Sequence, residues 1–147
     1  LTASGGMGGL GAEAEQIVLL KSRTFMNESG IAVGKAAGYY RVPVEQLVVV
    51  HDELDLDFGR IRLKFGGGDN GHNGLKSIRR SLGTGDFFRA RFGVGRPPGR
   101  QDAADYVLSP FPAALAEDVA VEVVRCADAV EALLTLGLDE AQSRFNS

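Results

Sequence analysis

The 147 residues are 44% hydrophobic and 24% charged, which is typical of one soluble globular domain. No apolar run approaches the roughly 20 residues that a membrane-spanning helix needs, and the start shows no signal-peptide pattern. The only cysteine, Cys126, excludes an internal disulfide and indicates a reducing, cytoplasmic environment.

Apolar runs and turn residues predict strands and helices that alternate along the chain. Leu1–Gly11 has no period and is interpreted as a loop or frayed end. Asn27 is a candidate N-cap of the first helix, and Gly137 a candidate C-cap of the last one. Cys126 lies in the apolar pattern of that last helix and is interpreted as a buried structural thiol. The predicted elements are strand 16–20, helix 27–40, strand 47–50, strand 60–65, helix 75–82, strand 87–94, helix 102–108 and helix 112–136.

The alternation of strands and helices predicts the α/β class. We expect a single-domain three-layer sandwich over residues 1–147, with a mixed, mostly parallel sheet between helices and an atypical segment 1–15. Leu47–Val50 is continuously apolar, as in a strand covered on both faces. Sites in such sheets gather where strands end, and both Asp52 and the glycine-rich loop Gly66–Gly74 follow predicted strands.

The charge is unevenly distributed along the chain. The net charge of −3 argues against a nucleic-acid partner. Residues 60–100, however, hold ten basic and two acidic side chains, which gives this stretch a charge of +8. Such asymmetry is typical of a protein that offers one face to a polyanion, although a solvated arginine face explains it equally well.

Asp52 has three possible roles. A carboxylate at a strand end can hold an imidazole in one tautomer, or it can cap a turn. With Glu53, Asp55 and Asp57 it can also form a divalent metal site. The neighbouring His51 points to the opposite face of the strand and is not expected to pair with the Asp52 carboxylate.

The loop Gly66–Gly74 can bring backbone N–H groups close to an anion or a polar backbone. It is not a Walker loop, because no Gly-Lys-Ser/Thr follows. His72 is a candidate general base. Asn73 and Asn27 each offer a carboxamide donor and acceptor suited to peptide groups, or serve as a turn former and a helix cap.

Together, four stretches resemble the bacterial peptidyl-tRNA hydrolase family. The similarity runs from about Val18 to the C-terminus, in the family's order and spacing. The stretches are Thr24-Phe-Met-Asn-Glu-Ser-Gly30, His51-Asp-Glu-Leu-Asp-Leu56, Gly66 to Gly74 ending in Gly-His-Asn-Gly, and Arg89-Ala-Arg-Phe-Gly-Val-Gly95.

The resemblance implies hydrolysis of the ester between a peptide and the 3′-terminal ribose of tRNA, a step of translation and ribosome rescue that needs no metal or cofactor. It implies that Asp52 orients a catalytic histidine, and that Asn27 and Asn73 hold the peptide backbone and polarise the carbonyl. His72 becomes a second, non-base histidine near the substrate, with Gly71 in the same binding loop.

The resemblance also implies that Lys64 and Arg91 grip a tRNA phosphate, which positions the substrate without reading bases. The expected partner is the acceptor stem and 3′ end of peptidyl-tRNA. We expect a cytoplasmic monomer with no membrane contact and no obligate protein partner.

The start of the chain departs from the family pattern. In the family, roughly forty further residues precede Val18 and supply a histidine that acts as general base on the attacking water. Leu1–Gly11 contains no His, Asn or Tyr. We therefore expect this chain to lack that segment and to be weak or inactive, since loss of a base costs on the order of 10²–10⁴ in rate.

Two alternatives stay open. The first is a non-catalytic RNA-binding protein on the same fold. The second is a metal-dependent nuclease that uses Asp52, Glu53 and Asp55.

Overall fold

The strands and helices lie within residues 2–6, 16–97, 99 and 101–146, which a computed structural model describes. The strands of this part of the chain are β1 (Thr2–Gly6), β2 (Gln16–Leu20), β3 (Val48–Glu53), β4 (Ile61–Phe65) and β5 (Phe88–Gly93). Its α-helices are α1 (Ser29–Tyr39), α2 (Asn73–Leu82), α3 (Ala103–Leu108), α4 (Ala116–Leu136) and α5 (Leu138–Phe145). Short 3-10 helices occupy Met26–Glu28, Val44–Gln46 and Ala113–Leu115.

The chain divides into two compact units. The first unit is built from the described residues of Leu1–Leu47 and Gly66–Phe87, and the second from those of Val48–Phe65 and Phe88–Ser147. The predicted bounds of the domain, residues 1–147 with an atypical segment 1–15, stay a prediction.

In the first unit, β1 pairs with β2 in an antiparallel hairpin, and α1 packs against α2. Gly30 permits the close approach of the two helices, because a Cβ at this position would lie 2.1 Å from the Ser77 carbonyl oxygen. Only a residue without a side chain fits there.

In the second unit, three strands form a mixed sheet in the order β3-β5-β4. β3 runs parallel to β5, whereas β4 runs antiparallel to it. The predicted mixed sheet is therefore confirmed, but parallel pairing does not dominate among the described strands.

One face of this sheet is covered by α4 and α5. Ile61, Leu63 and Ala90 of the sheet are almost completely buried with helix residues. Each fully buried Leu or Ile contributes about 1.5–3 kcal/mol relative to an exposed one. The helix members of this cluster are Cys126, Ala129, Ala132, Leu133 and Ala141. Cys126 is thus the buried thiol that the sequence predicts, and burial raises its pKa.

α5 was not predicted from the sequence, yet its end caps the edge of the sheet. Asn146 Oδ1 accepts the Leu63 N–H at 2.8 Å, and its Nδ2 donates to the Leu63 carbonyl at 3.2 Å. Gln142 Nε2 donates to the same carbonyl at 3.0 Å. These side chains satisfy backbone groups that an uncovered edge strand would leave open.

Three local predictions were wrong. Leu1–Gly11 was interpreted as a loop or frayed end, but Thr2–Gly6 forms β1 and pairs with β2. Val50 is 55% exposed, so β3 is not covered on both faces. Asn27 does not cap α1, because it lies inside the 3-10 helix and Glu28 occupies the N-cap position without a side-chain bond. Gly137 does end α4, with φ of 86°, and its N–H donates to the Leu133 carbonyl.

Candidate functional site

The glycine-rich loop of the first unit is held in a tight turn. The His72 N–H donates to the Asp69 carbonyl at 2.9 Å, and the intervening Asn70 and Gly71 have φ of 52° and 79°. Positive φ at both central residues is typical of a type I′ turn, for which Asn-Gly is the favoured pair. Gly71 is therefore required for the shape of the loop.

The side chain of Asp69 stabilises the same turn. Its Oδ1 accepts the Gly71 N–H at 3.1 Å, and its Oδ2 lies 3.3 Å from Arg79 Nη1. The Gly71 hydrogen bond, assisted by Lys76 and Arg79, lowers the pKa of the Asp69 carboxyl. The sequence pattern singled out neither Asp69 nor Arg79.

His72 is the N-cap of α2. Its Nδ1 accepts the Leu75 N–H at 3.2 Å, so the ring proton of the neutral imidazole is on Nε2. This geometry leaves Nε2–H as a donor and occupies the ring nitrogen that could have accepted a proton. The capping bond therefore favours the interpretation of His72 as a non-base histidine over its interpretation as the general base.

Asn73 and Asn27 belong to the same unit and are both exposed. Asn73 is the first residue of α2, and Asn27 lies in the 3-10 helix that packs against α2. The neighbouring Met26 side chain reaches to 3.3 Å from the position of a Cβ on Gly74. Asn73 thus begins α2 and Asn27 lies in an element packed against it, and both side chains are exposed.

Asp52 lies in the second unit, inside β3 rather than after it. Its register partner is Phe92, which packs against the core under α4 and α5. His51 Nδ1 donates to the main-chain carbonyl of Asp52 at 2.8 Å. The His51 imidazole therefore does not bond the Asp52 carboxylate through that nitrogen, as the strand alternation predicts.

Lys64 and Arg91 lie on the opposite face of the same sheet. Lys64 pairs with Arg89 and Arg91 pairs with His51, and paired residues share a face. Burial, then the charges of Arg91 and Arg89, lower the pKa of Lys64, while Glu53 raises it. The structure thus brings these two cations together on one face, away from Asp52.

Acidic residues at the end of β3 and just after it form ion pairs with arginines. Glu53 Oε1 lies 3.4 Å from Arg91 Nη2, and Asp55 forms an ion pair with Arg96. Within the described ranges, no three His, Cys, Asp or Glu side chains cluster in a way that could hold a metal ion. The ion pair between Glu53 and Arg91 was missed from the sequence, because the register of β3 against β5 cannot be deduced there.

The basic stretch 60–100 is shared between the two units. Arg89 is only 1% exposed, so its inclusion in a surface charge was wrong. Arg100 lies outside the described residues. The charge asymmetry therefore overstates the number of cations that a ligand can reach.

The first unit also has an open cavity of about 460 Å³ that none of the predicted site residues lines. Its lining combines three cations with two tyrosine rings that meet edge to face, their centroids 4.8 Å apart. The lining residues are Leu20, Lys21, Ser22, Arg23, Thr24, Ala32, Lys35, Ala36, Tyr39 and Tyr40.

None of the helices in the described part of the chain combines the length and apolarity needed to cross a membrane.

Known proteins similar to this chain include members of the peptidyl-tRNA hydrolase family. A family model described as peptidyl-tRNA hydrolase matches residues 2–147. The curated peptidyl-tRNA hydrolase of Cutibacterium acnes is 57% identical over 145 residues, which is 99% of this chain and 72% of that protein. That of Mycolicibacterium smegmatis is 57% identical over 131 residues, which is 89% of this chain and 69% of that protein.

Solved structures agree in fold. A crystal structure of peptidyl-tRNA hydrolase with N-propanol has a TM-score of 0.81 at 31% identity, covering 99% of this chain and 71% of the other. The peptidyl-tRNA hydrolase of Acinetobacter baumannii has a TM-score of 0.80 at 31% identity, covering 98% and 71%. The predicted single-domain α/β class with a mixed sheet is confirmed.

The comparisons do not bear out the absent N-terminal segment, the weak activity or the non-catalytic alternative. The individual roles of the predicted site residues and the monomeric state stay predictions. The family model spans nearly the whole chain, and the identity to curated members exceeds half of the aligned residues. The chain therefore belongs to the peptidyl-tRNA hydrolase family.

Proposed function

We propose that this chain hydrolyses the ester bond of peptidyl-tRNA in the cytoplasm and releases tRNA and peptide. The observation that carries the proposal is family membership together with two exposed asparagines at the start of α2. The relatives in Cutibacterium acnes and Mycolicibacterium smegmatis carry the same activity in their names.

Asn27 and Asn73 are proposed to bind the peptide backbone. Each carboxamide can donate to a carbonyl and accept from an N–H, as a peptide group requires. A donated hydrogen bond also stabilises the charge that develops on the ester oxygen during attack by water. Their exposure and the start of α2 beside them, capped by His72, support this role. Gly71 and His72 are proposed to shape the same binding surface.

Lys64 and Arg91 are proposed to bind a phosphate of the tRNA acceptor stem. Their position on one sheet face supports this role, because two adjacent cations can share one phosphate. The contact would position the RNA and read no sequence.

Asp52 is proposed to orient the imidazole of a general base. The two histidines of this chain give limited support for such a base. His51 is 8% exposed and donates to a carbonyl, and His72 uses Nδ1 as a helix cap.

The test uses an N-acetyl-aminoacyl-tRNA, with release of tRNA as the measured quantity. We expect hydrolysis that Asn73→Ala and Asp52→Asn each reduce. Binding of the substrate with no hydrolysis above background would overturn the enzymatic proposal in favour of a binding role. Hydrolysis that Asp52→Asn leaves unchanged would instead overturn only the proposed role of Asp52.

A further inference from the structure

One face of the β3-β5-β4 sheet concentrates positive charge around a single carboxylate. Directly paired residues point to the same face, and the register aligns His51, Arg91 and Arg62 in one row. Lys64 and Arg89 form the adjacent row. We call this group of residues the cationic sheet face, which consists of His51, Glu53, Arg62, Lys64, Arg89 and Arg91. His51, Glu53 and Arg89 are buried.

Glu53 is the acidic member of the cationic sheet face. Its side chain is 5% exposed, and its Oε1 lies 3.4 Å from Arg91 Nη2. The side chain of Arg91 keeps 18% of its surface exposed. A guanidinium has five N–H donors in a fixed plane. The carboxylate can therefore engage one edge of Arg91 while other donors stay accessible.

The surrounding charges explain why Arg91 needs such a partner. Arg89, Lys64 and Arg62 lie on the same face, and like charges at these spacings repel each other. Arg89 is 1% exposed, so solvent screens its charge little. Without a carboxylate nearby, the Arg91 side chain would turn away from the cluster towards solvent.

We propose that Glu53 is the positioning residue of the phosphate-binding pair, and that its carboxylate holds the Arg91 guanidinium where Arg91 and Lys64 contact one phosphate of tRNA. The inference rests on the proposed function of that pair. Glu53 does not contact the phosphate. It contributes by restricting Arg91 before the RNA arrives, which lowers the entropy lost on binding.

The sign of the effect separates positioning from simple electrostatics. Replacing Glu53 by glutamine removes a negative charge close to a phosphate site, and Coulomb's law alone predicts tighter RNA binding. Positioning predicts weaker binding. Burial and the charges of Arg91 and Arg89 lower the pKa of Lys64, and Glu53 opposes this shift, so removal of Glu53 does not strengthen the charge of Lys64.

The experiment measures the affinity of deacylated tRNA for the full chain by fluorescence anisotropy at several salt concentrations. We expect Glu53→Gln to weaken binding about tenfold, which is about 1.4 kcal/mol. Glu53→Asp keeps a carboxylate and should weaken binding less. The salt dependence of the affinity should become shallower by about one ionic contact, as for Arg91→Gln.

Two controls keep a folding defect apart from a positioning role. Glu122→Gln removes an ion pair of the same unit, that of Glu122 with Arg125 at 2.7 Å on α4, and should leave the affinity unchanged. In a double-mutant cycle, Glu53→Gln should add little to Arg91→Gln. Full additivity would mean that Glu53 acts independently of Arg91 and would overturn the inference.

The remaining outcomes distinguish the inference from the function on which it rests. If Lys64→Gln and Arg91→Gln weaken binding while Glu53→Gln leaves it equal or tighter, the positioning role is wrong and the phosphate-binding pair stands. If neither cation variant weakens binding, the phosphate-binding pair itself is wrong and Glu53 has no pair to position.

Discussion

The amide N–H of Gly30 in α1 donates to Ser77 Oγ in α2 over 2.8 Å, in a buried hydrogen bond. It joins residues 47 positions apart in the sequence. The bond fixes the start of α1 against α2, and the 3-10 helix that carries Asn27 directly precedes α1. The contact between α1 and α2 therefore sets the position of the Asn27 carboxamide relative to α2, which begins at Asn73.

The first prediction tests this helix contact. Gly30→Ala should destabilise the chain by about 3 kcal/mol, because the new Cβ would lie 2.1 Å from the Ser77 carbonyl oxygen. Gly38→Ala, in the same helix with nothing within 4 Å, should instead stabilise by about 0.5–1 kcal/mol. Urea unfolding followed by circular dichroism measures both. Equal effects of the two substitutions would contradict the packing argument.

The second prediction concerns the cap of α2. His72→Ala should destabilise by about 1 kcal/mol, since the Leu75 N–H loses its acceptor. His72→Asn keeps a side-chain acceptor at the N-cap and should recover most of that stability. Thermal unfolding of the three proteins provides the comparison. If His72→Asn were as unstable as His72→Ala, the capping bond would not be the reason for this histidine's position.

The third prediction is the pH dependence of the turn at Asp69. The Gly71 hydrogen bond lowers the pKa of this carboxyl, so it should titrate below its ordinary value of 3.8. A carboxyl whose pKa is lower in the folded state stabilises it above the unfolded-state pKa, and this contribution is lost as pH falls through the folded-state pKa.

Carboxyl carbon NMR between pH 2 and pH 6, a range of about two units on either side of an ordinary aspartate pKa, measures the titration directly. Amide exchange of Gly71 should accelerate, relative to its intrinsic rate, over the same interval in the natural chain but not in Asp69→Asn. Asp118→Asn, on the exposed first turn of α4, serves as the control. A titration of Asp69 above 3.8 would contradict the predicted direction.

The fourth prediction concerns Asn73. Asn73→Ala should lower kcat/KM for N-acetyl-aminoacyl-tRNA by about 10²–10³, the usual loss for a donor that stabilises a developing oxyanion. Because Asn73 is exposed, the substitution should change the free energy of unfolding by less than about 0.5 kcal/mol. Asn70→Gly in the same loop preserves the positive φ and should keep near-natural activity. Equal losses for both variants would indicate disturbance of the loop rather than loss of a carboxamide.

The fifth prediction concerns Lys64 at alkaline pH. Burial and the charges of Arg91 and Arg89 lower its pKa below 10.5, so the ammonium form is lost earlier than in an ordinary lysine as pH rises. Affinity for deacylated tRNA should therefore fall in the alkaline range below pH 10.5. Lys64→Arg should remove this decline, because a guanidinium stays charged. An identical decline in Lys64→Arg would assign it to another group.

Local patterns in the sequence determined most of the elements and the chemistry of the candidate residues. The apolar runs of β2 and β3 indicated strands. The alternation in β4 and the long pattern of α4 show the side-chain periods that strand and helix geometry impose. The four linked motifs together indicated the peptidyl-tRNA hydrolase family, to which the chain belongs.

The tertiary structure decided which residues meet. The pairing of β3 with β5 places Glu53 near Arg91 and puts Asp52 on the other sheet face, and a register between distant strands has no local signature. The burial of Arg89 and the role of α5 in capping β4 likewise depend on neighbours far along the chain. Sequence periodicity fixes which side of an element a residue occupies, whereas packing between elements fixes what that side faces.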